Sequence, residues 1–79
     1  MSIDKYDKVF IDCFSVDKAK LKKKLEYNSI AAWDSVGHMA MIAALEEAFD
    51  IVFEMDDIID FSSYKIGKEI LKKYKVNIS

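Results

Sequence analysis

Trp33-Asp34-Ser35-Val36-Gly37-His38-Met39-Ala40-Met41-Ile42-Ala43-Ala44-Leu45-Glu46-Glu47-Ala48-Phe49-Asp50 decides the fold of this 79-residue chain. Asp34 and Ser35 are both good helix caps, and Trp33 just before them can pack back on the first turn as a hydrophobic staple. No proline interrupts the run to Asp50. At about 100° per residue His38, Met41, Ile42, Leu45 and Phe49 gather on one side, which is the expected core face. Opposite them stand Val36, Met39 and Ala43, with Glu46, Glu47 and Asp50 farther along. The exposed face therefore offers apolar groups near the helix start and carboxylates toward its end.

Toward the N-terminus, Ser2 can cap a first helix, with Asp4 in the turn where the helix dipole favours an acid. Ile3, Tyr6, Val9, Phe10, Cys13 and Phe14 recur at three- and four-residue spacing and form one stripe. Cys13 lies on that stripe and reads as a small buried hydrophobe rather than a reactive thiol. Val16, Ala19, Leu21, Leu25, Tyr27 and Ile30 are spaced irregularly, so residues 15–33 read as a long loop with one helical turn after Asp17. Loops of this length in small domains often serve function.

Toward the C-terminus, Ile51, Val52, Phe53 and Met55 form an apolar link. Asp56 or Asp57 then caps a short turn of helix whose Ile58, Ile59 and Phe61 are expected to point inward. Ser62-Ser63 caps a last helix carrying Ile66, Ile70, Leu71 and Tyr74 on its inner stripe, with Lys72, Lys73 and Lys75 at the end the dipole favours. The expectation is an all-α four-helix bundle, three main helices plus a short third, with a long loop between helices one and two. One domain over residues 1–79 suffices, because a chain this short supports a single core. Buried positions are expected to include Leu45, Phe49, Ile59, Ile66 and Ile70.

Composition narrows the function. Apolar residues make up 52% and charged residues 33% at a net charge of -2, which is globular rather than disordered. The longest apolar run, Met39 to Leu45, is far short of the roughly 20 residues a membrane span requires, so no membrane insertion is expected. The first residues bring Asp4 and Asp7 where a secretory leader would need a basic start, and the single Cys13 asks for no oxidising compartment. A soluble, cytoplasmic monomer is expected.

Charge is laid out in blocks. Residues 26–60 hold nine acids and no lysine, while seven of the lysines precede residue 26 and five follow residue 60. The cluster Lys18, Lys20, Lys22, Lys23 and Lys24 invites a nucleic-acid reading. The chain has no arginine, however, and base-edge and phosphate-fork recognition lean on arginine, so a solvated face is the better account. The acidic middle is more informative, because a localised negative field steers basic partners toward one face.

Catalytic chemistry finds little to work with. A hydrolytic triad on the lone His38 lacks an orienting partner, and zinc needs more than one His and one Cys. Gly37 and Gly67 are isolated, so no glycine-rich phosphate loop exists. The pairs Glu46-Glu47 and Asp56-Asp57 read as exposed, suited to solvation or partner contact rather than acid-base work. A non-enzyme is expected. What remains is Ser35, a hydroxyl at a helix start beside free backbone N–H groups and the positive end of the dipole, where a phosphodiester would be electrostatically favoured.

The stretch Trp33-Asp34-Ser35-Val36-Gly37-His38-Met39 with Ala44-Leu45-Glu46-Glu47-Ala48-Phe49-Asp50-Ile51 resembles the acyl carrier protein family, in the form of its stand-alone members. There an Asp-Ser-Leu-type motif opens the second helix and an Ala-Leu-Glu-Glu-x-Phe-type run closes it. The likeness extends over almost the whole chain. It implies that Ser35 carries a 4'-phosphopantetheine arm, transferred from coenzyme A by a phosphopantetheinyl transferase, and that acyl groups ride on the arm as thioesters. It implies that Asp34 supports that modification and that partner enzymes dock on Val36, Met39, Ala43, Glu46, Glu47 and Asp50. Part of an acyl chain would shelter where Met41, Ile42 and Met55 yield. Val36 replaces the usual leucine, and Gly37 and Ala40 stand where housekeeping carriers have acids, which points to a specialised lipid or polyketide-type pathway. The partners implied are an acyl-loading ligase and acyl-processing enzymes. A carrier of aminoacyl groups or sugar precursors, served by its own ligase, and an unmodified helical interaction module are the alternatives.

Overall fold

The computed structural model describes residues 2–22 and 25–76, the side chains of Ser2 and Lys22 excepted. Among them five helices follow one another: α1 (Ser2–Phe14), α2 (Lys18–Lys22), α3 (Ser35–Phe49), α4 (Met55–Asp60) and α5 (Tyr64–Lys73). An isolated antiparallel bridge between Glu26 and Ser63 is the sole β pairing among the described residues. The chain is all-α, as expected. The fifth element is α2, the helical turn expected after Asp17, whose Lys20 N–H donates to Asp17 Oδ1 at 2.9 Å. The expected cap at Ser2 and the basic side chains of Lys22, Lys23 and Lys24 lie outside the described residues.

The core is aromatic on one side and aliphatic on the other. Tyr6, Val9, Phe10 and Phe14 of α1 are buried against Met41, Ile42 and Leu45 of α3, with Leu21 and Leu25 closing the edge. Ile3, Cys13 and Phe49 are half-buried at the margins. Burial, then the neighbouring Asp12 carboxylate, push the Cys13 thiol up, so it stays protonated and packs as a small hydrophobe. At the centre is Trp33, with no exposed surface, stacked on Phe14 at 5.0 Å and edge-on to Phe10 at 5.5 Å. Tilted and edge-to-face pairs of this kind add specific geometry to simple area burial.

The long connection between α1 and α3 is ordered by backbone bonds. Tyr27 N–H donates to Ser62 O at 2.9 Å and Tyr64 N–H to Leu25 O at 3.0 Å, so the segment around residues 25–27 lies along the α4–α5 junction. Ser29 closes a turn on Glu26, and Asn28 N–H donates to Trp33 O. The segment is thus part of the body.

The second half of the chain departs from the sequence pattern. Glu54, rather than Asp56 or Asp57, occupies the cap position of α4, and its side chain makes no capping bond. Asp57 is the buried residue of α4 and Phe61 follows it inward one turn later. Ile59 lies two residues from each, on the opposite side of a 3.6-residue repeat, and is 70% exposed instead of pointing inward. Met55 is likewise exposed, and Ile58 is half-buried.

In α5 the inner stripe is Gly67, Ile70 and Leu71 rather than Ile66, Ile70 and Leu71. A Cβ at Gly67 would run into the Phe61 ring and the Tyr6 hydroxyl, so these two side chains take the space a larger residue would fill. Ile66, one residue off that stripe, is left at the flank, 41% exposed. Ser63, but not Ser62, caps α5, accepting from Ile66 N–H at 3.0 Å.

Candidate functional site

The site grows from the first turn of α3. Asp34 is the cap: its backbone is extended, its Oδ1 accepts from Gly37 N–H at 2.8 Å, and its carbonyl accepts from His38 N–H at 2.8 Å. Ser35 is therefore the first helical residue. It is exposed, and by helix geometry its own N–H and that of Val36 have no intrahelical acceptor. Gly37 is there for space. A Cβ on it would collide with the carbonyl oxygen of Ala32, so the absence of a side chain lets the incoming loop lie against the helix start.

Trp33 and His38 lock this entry. The Trp33 indole N–H donates to His38 Nδ1 at 3.0 Å, and the two rings lie 15° from parallel. Because the indole can only donate, Nδ1 accepts, and His38 Nε2 carries the proton that it donates to Ile58 O at 2.8 Å. The expected staple thus exists, with a polar link added. His38 is a strut between the helix start and α4 and has no ring nitrogen free for acid-base work.

Between this first turn and α4 lies a cavity of about 310 Å³. Ser35, His38 and Met39 line it from α3, Ile58 and Ile59 from α4, and Phe61 and Tyr27 close it. Its walls are mostly hydrocarbon. Ser35 is both exposed and part of this lining, so a group attached there has an apolar surface beside it. The residues expected to yield, Met41, Ile42 and Met55, do not line this cavity: Met41 and Ile42 belong to the closed core, and Met55 is 74% exposed. Tyr27 was hidden from sequence reading because it sits in an irregular loop. Its contribution follows from the backbone bond to Ser62, which nothing in the spacing announces.

The expected docking face divides. Val36 and Met39 are 78% and 53% exposed, and Ala43, Glu47 and Asp50 are exposed as well. Glu46 is less open than the rest of that face. It is half-buried, and its Oε2 accepts from Phe53 N–H at 2.9 Å, closing the α3–α4 link. Asp50 ends α3 in the left-handed region at φ 54, with its N–H returned to Glu46 O. Asp57 is a correction: 4% exposed, it accepts from Lys73 Nζ and from the Tyr74 hydroxyl, each at 2.5 Å. The Lys73 bond first, then the Tyr74 bond, hold its carboxyl below the usual carboxylate range.

Among the described residues no group of three or more Asp, Glu, His or Cys is placed to hold a metal ion, and no helix is long and apolar enough to cross a membrane. Comparison with family models, with curated proteins and with solved structures returned no match to the chain.

Proposed function

We propose that the chain is an acyl carrier, modified on the Ser35 hydroxyl with 4'-phosphopantetheine taken from coenzyme A. The observation that carries this reading is the placement of Ser35: exposed, first in α3, next to the Asp34 cap, and at the edge of the apolar cavity. The residues fit the group. Asp34 directs its carboxylate to Gly37 N–H, leaving the amides of Ser35 and Val36 and the positive helix end to favour a phosphodiester on the hydroxyl. When attached, the arm supplies a thiol that holds acyl groups as thioesters.

The chain's own part is presentation and shelter. His38 and Trp33 fix the helix start in one orientation, so the attachment point is held by a rigid core. Ile58, Ile59 and Met39 offer hydrocarbon to whatever folds back toward the protein, which favours an acyl cargo over an aminoacyl one. Val36 and Met39, with Glu47 and Asp50 farther along, form the face on which loading and processing enzymes would dock. Association through such charges is fast, weak and salt-sensitive, which suits a shuttle.

The test is direct. Incubation with coenzyme A and a broad-range phosphopantetheinyl transferase should add one arm to the intact chain and none to Ser35→Ala, read by intact mass. Equal labelling of both proteins would move the site, and no labelling of either would leave an unmodified interaction module.

A further inference from the structure

One wall of the cavity is attached unlike the rest of the molecule. α4 buries no apolar residue of its own; its buried residue is Asp57, an acid. Two groups from the end of α5 receive it. Lys73 Nζ donates to Oδ1, and the Tyr74 hydroxyl donates to Oδ2. The same Tyr74 oxygen accepts from Glu54 N–H at 2.9 Å, so it joins the cap position of α4 and its first turn at a single atom. On the cavity side the ties are one polar contact, from His38 Nε2 to Ile58 O, and the half-buried Ile58 side chain, which packs against the core. Ile59 and Met55, which would anchor α4 if buried, are 70% and 74% exposed.

We propose that Asp57, Lys73 and Tyr74 form a latch that holds α4 in place as one wall of the open cavity beside Ser35, and that release of this latch widens the cavity. Charge-assisted hydrogen bonds are strong only while their geometry is kept, and this cluster lies at the protein edge, with the Lys73 side chain 62% exposed. Separating these groups lets water satisfy each of them, whereas separating α1 from α3 would expose an aromatic core. The low-cost motion is therefore that of α4 away from α3, about the Phe53 link and the Phe61 anchor. Asp57, Lys73 and Tyr74 are positioning residues in this scheme and touch no cargo. Their consequence for a cargo rests on the carrier reading; the latch itself does not.

Hydrogen exchange on the unmodified full chain tests it, so failure of attachment at Ser35 leaves the result interpretable. The reporters are the amides of Ile58 and Phe61, bonded within α4 to Glu54 O and Asp57 O, with the Leu45 amide of α3 as reference. Tyr74→Phe deletes one oxygen from a half-buried ring, and Asp57→Asn keeps shape while removing charge. In each, Ile58 and Phe61 should exchange about tenfold faster or more, the effect of losing one hydrogen bond to a charged group, and through a smaller opening free energy than Leu45, which follows global unfolding. Lys73→Arg, which keeps the pairing, should leave all three amides near their original rates. Unchanged exchange at Ile58 and Phe61 in Tyr74→Phe would overturn the latch. Equal opening free energies at Ile58, Phe61 and Leu45 would overturn it too, showing that α4 opens only with the whole fold.

Discussion

α1 and α3 are joined by hydrocarbon and aromatic rings; α4 is joined to its neighbours chiefly by hydrogen bonds, with half-buried Ile58 as its apolar contact to the core. Tyr6, Phe10 and Phe14 press on Met41, Ile42 and Leu45 with almost no exposed surface, and Trp33 closes the gap between the helices. α4 instead relies on Asp57, on the Ile58 carbonyl and on the Phe53 N–H. The difference is one of separability. Apolar contact is lost in proportion to the area exposed, so a packed helix opens only with global unfolding, whereas a polar tie is exchanged for water at small net cost. One half of the molecule holds Ser35 still, and the other half can yield beside it.

The comparison breaks most visibly at Trp33. Trp33→Ala removes the ring that joins Phe10, Phe14 and His38 and leaves a cavity where three elements meet. The expected loss is about 3–5 kcal/mol, a large part of the stability of a domain this size. Urea unfolding followed by circular dichroism should show a lower midpoint for the whole helical signal in one transition. A loss confined to α4 would mean that the aromatic cluster is not the common support.

The α4 side is sharpened by pH. Lys73 and Tyr74 hold the Asp57 carboxyl below its ordinary range, so Asp57 binds its proton less readily folded than unfolded. Its contribution to stability is then complete above the unfolded value of about 3.9 and is lost as pH falls through the lower folded value. Asp57→Asn cannot follow that course. Unfolding by urea from pH 7 downward should show wild type more stable than the variant at neutral pH, with the gap closing only below about pH 4. A gap of constant size across that range would show that the carboxylate charge is not what Lys73 and Tyr74 read.

The same contrast explains what was legible in the sequence. Helix α3 was readable from its Asp34 or Ser35 start and its long uninterrupted run, and α1 from a stripe whose spacing announces its buried side. α4 is six residues long, too short for a period to be established, and a polar residue holds its inward position. Asp57 looked like an exposed acid because its partners, Lys73 and Tyr74, are 16 and 17 residues away. Glu46 looked fully exposed for the same reason, since its acceptor role depends on a turn that brings Phe53 N–H back to it. Ser35 could be named from its place at a helix start, but the cavity beside it could not, being assembled from α3, α4 and an irregular loop.

The smallest expected effect tests that lesson at one residue. Spacing assigns Ile59 to the core, where replacement by serine would cost at least the roughly 2–5 kcal/mol typical of emptying a buried aliphatic site. The fold leaves it 70% exposed at the open cavity, outside the core. Ile59→Ser should therefore change the urea midpoint by an amount equivalent to about 0.5 kcal/mol or less, as for other surface substitutions. A loss in the range of a buried residue would return α4 to the packed half of the molecule. It would also remove the basis for treating this wall as separable, because an apolar anchor would then hold it beside the latch.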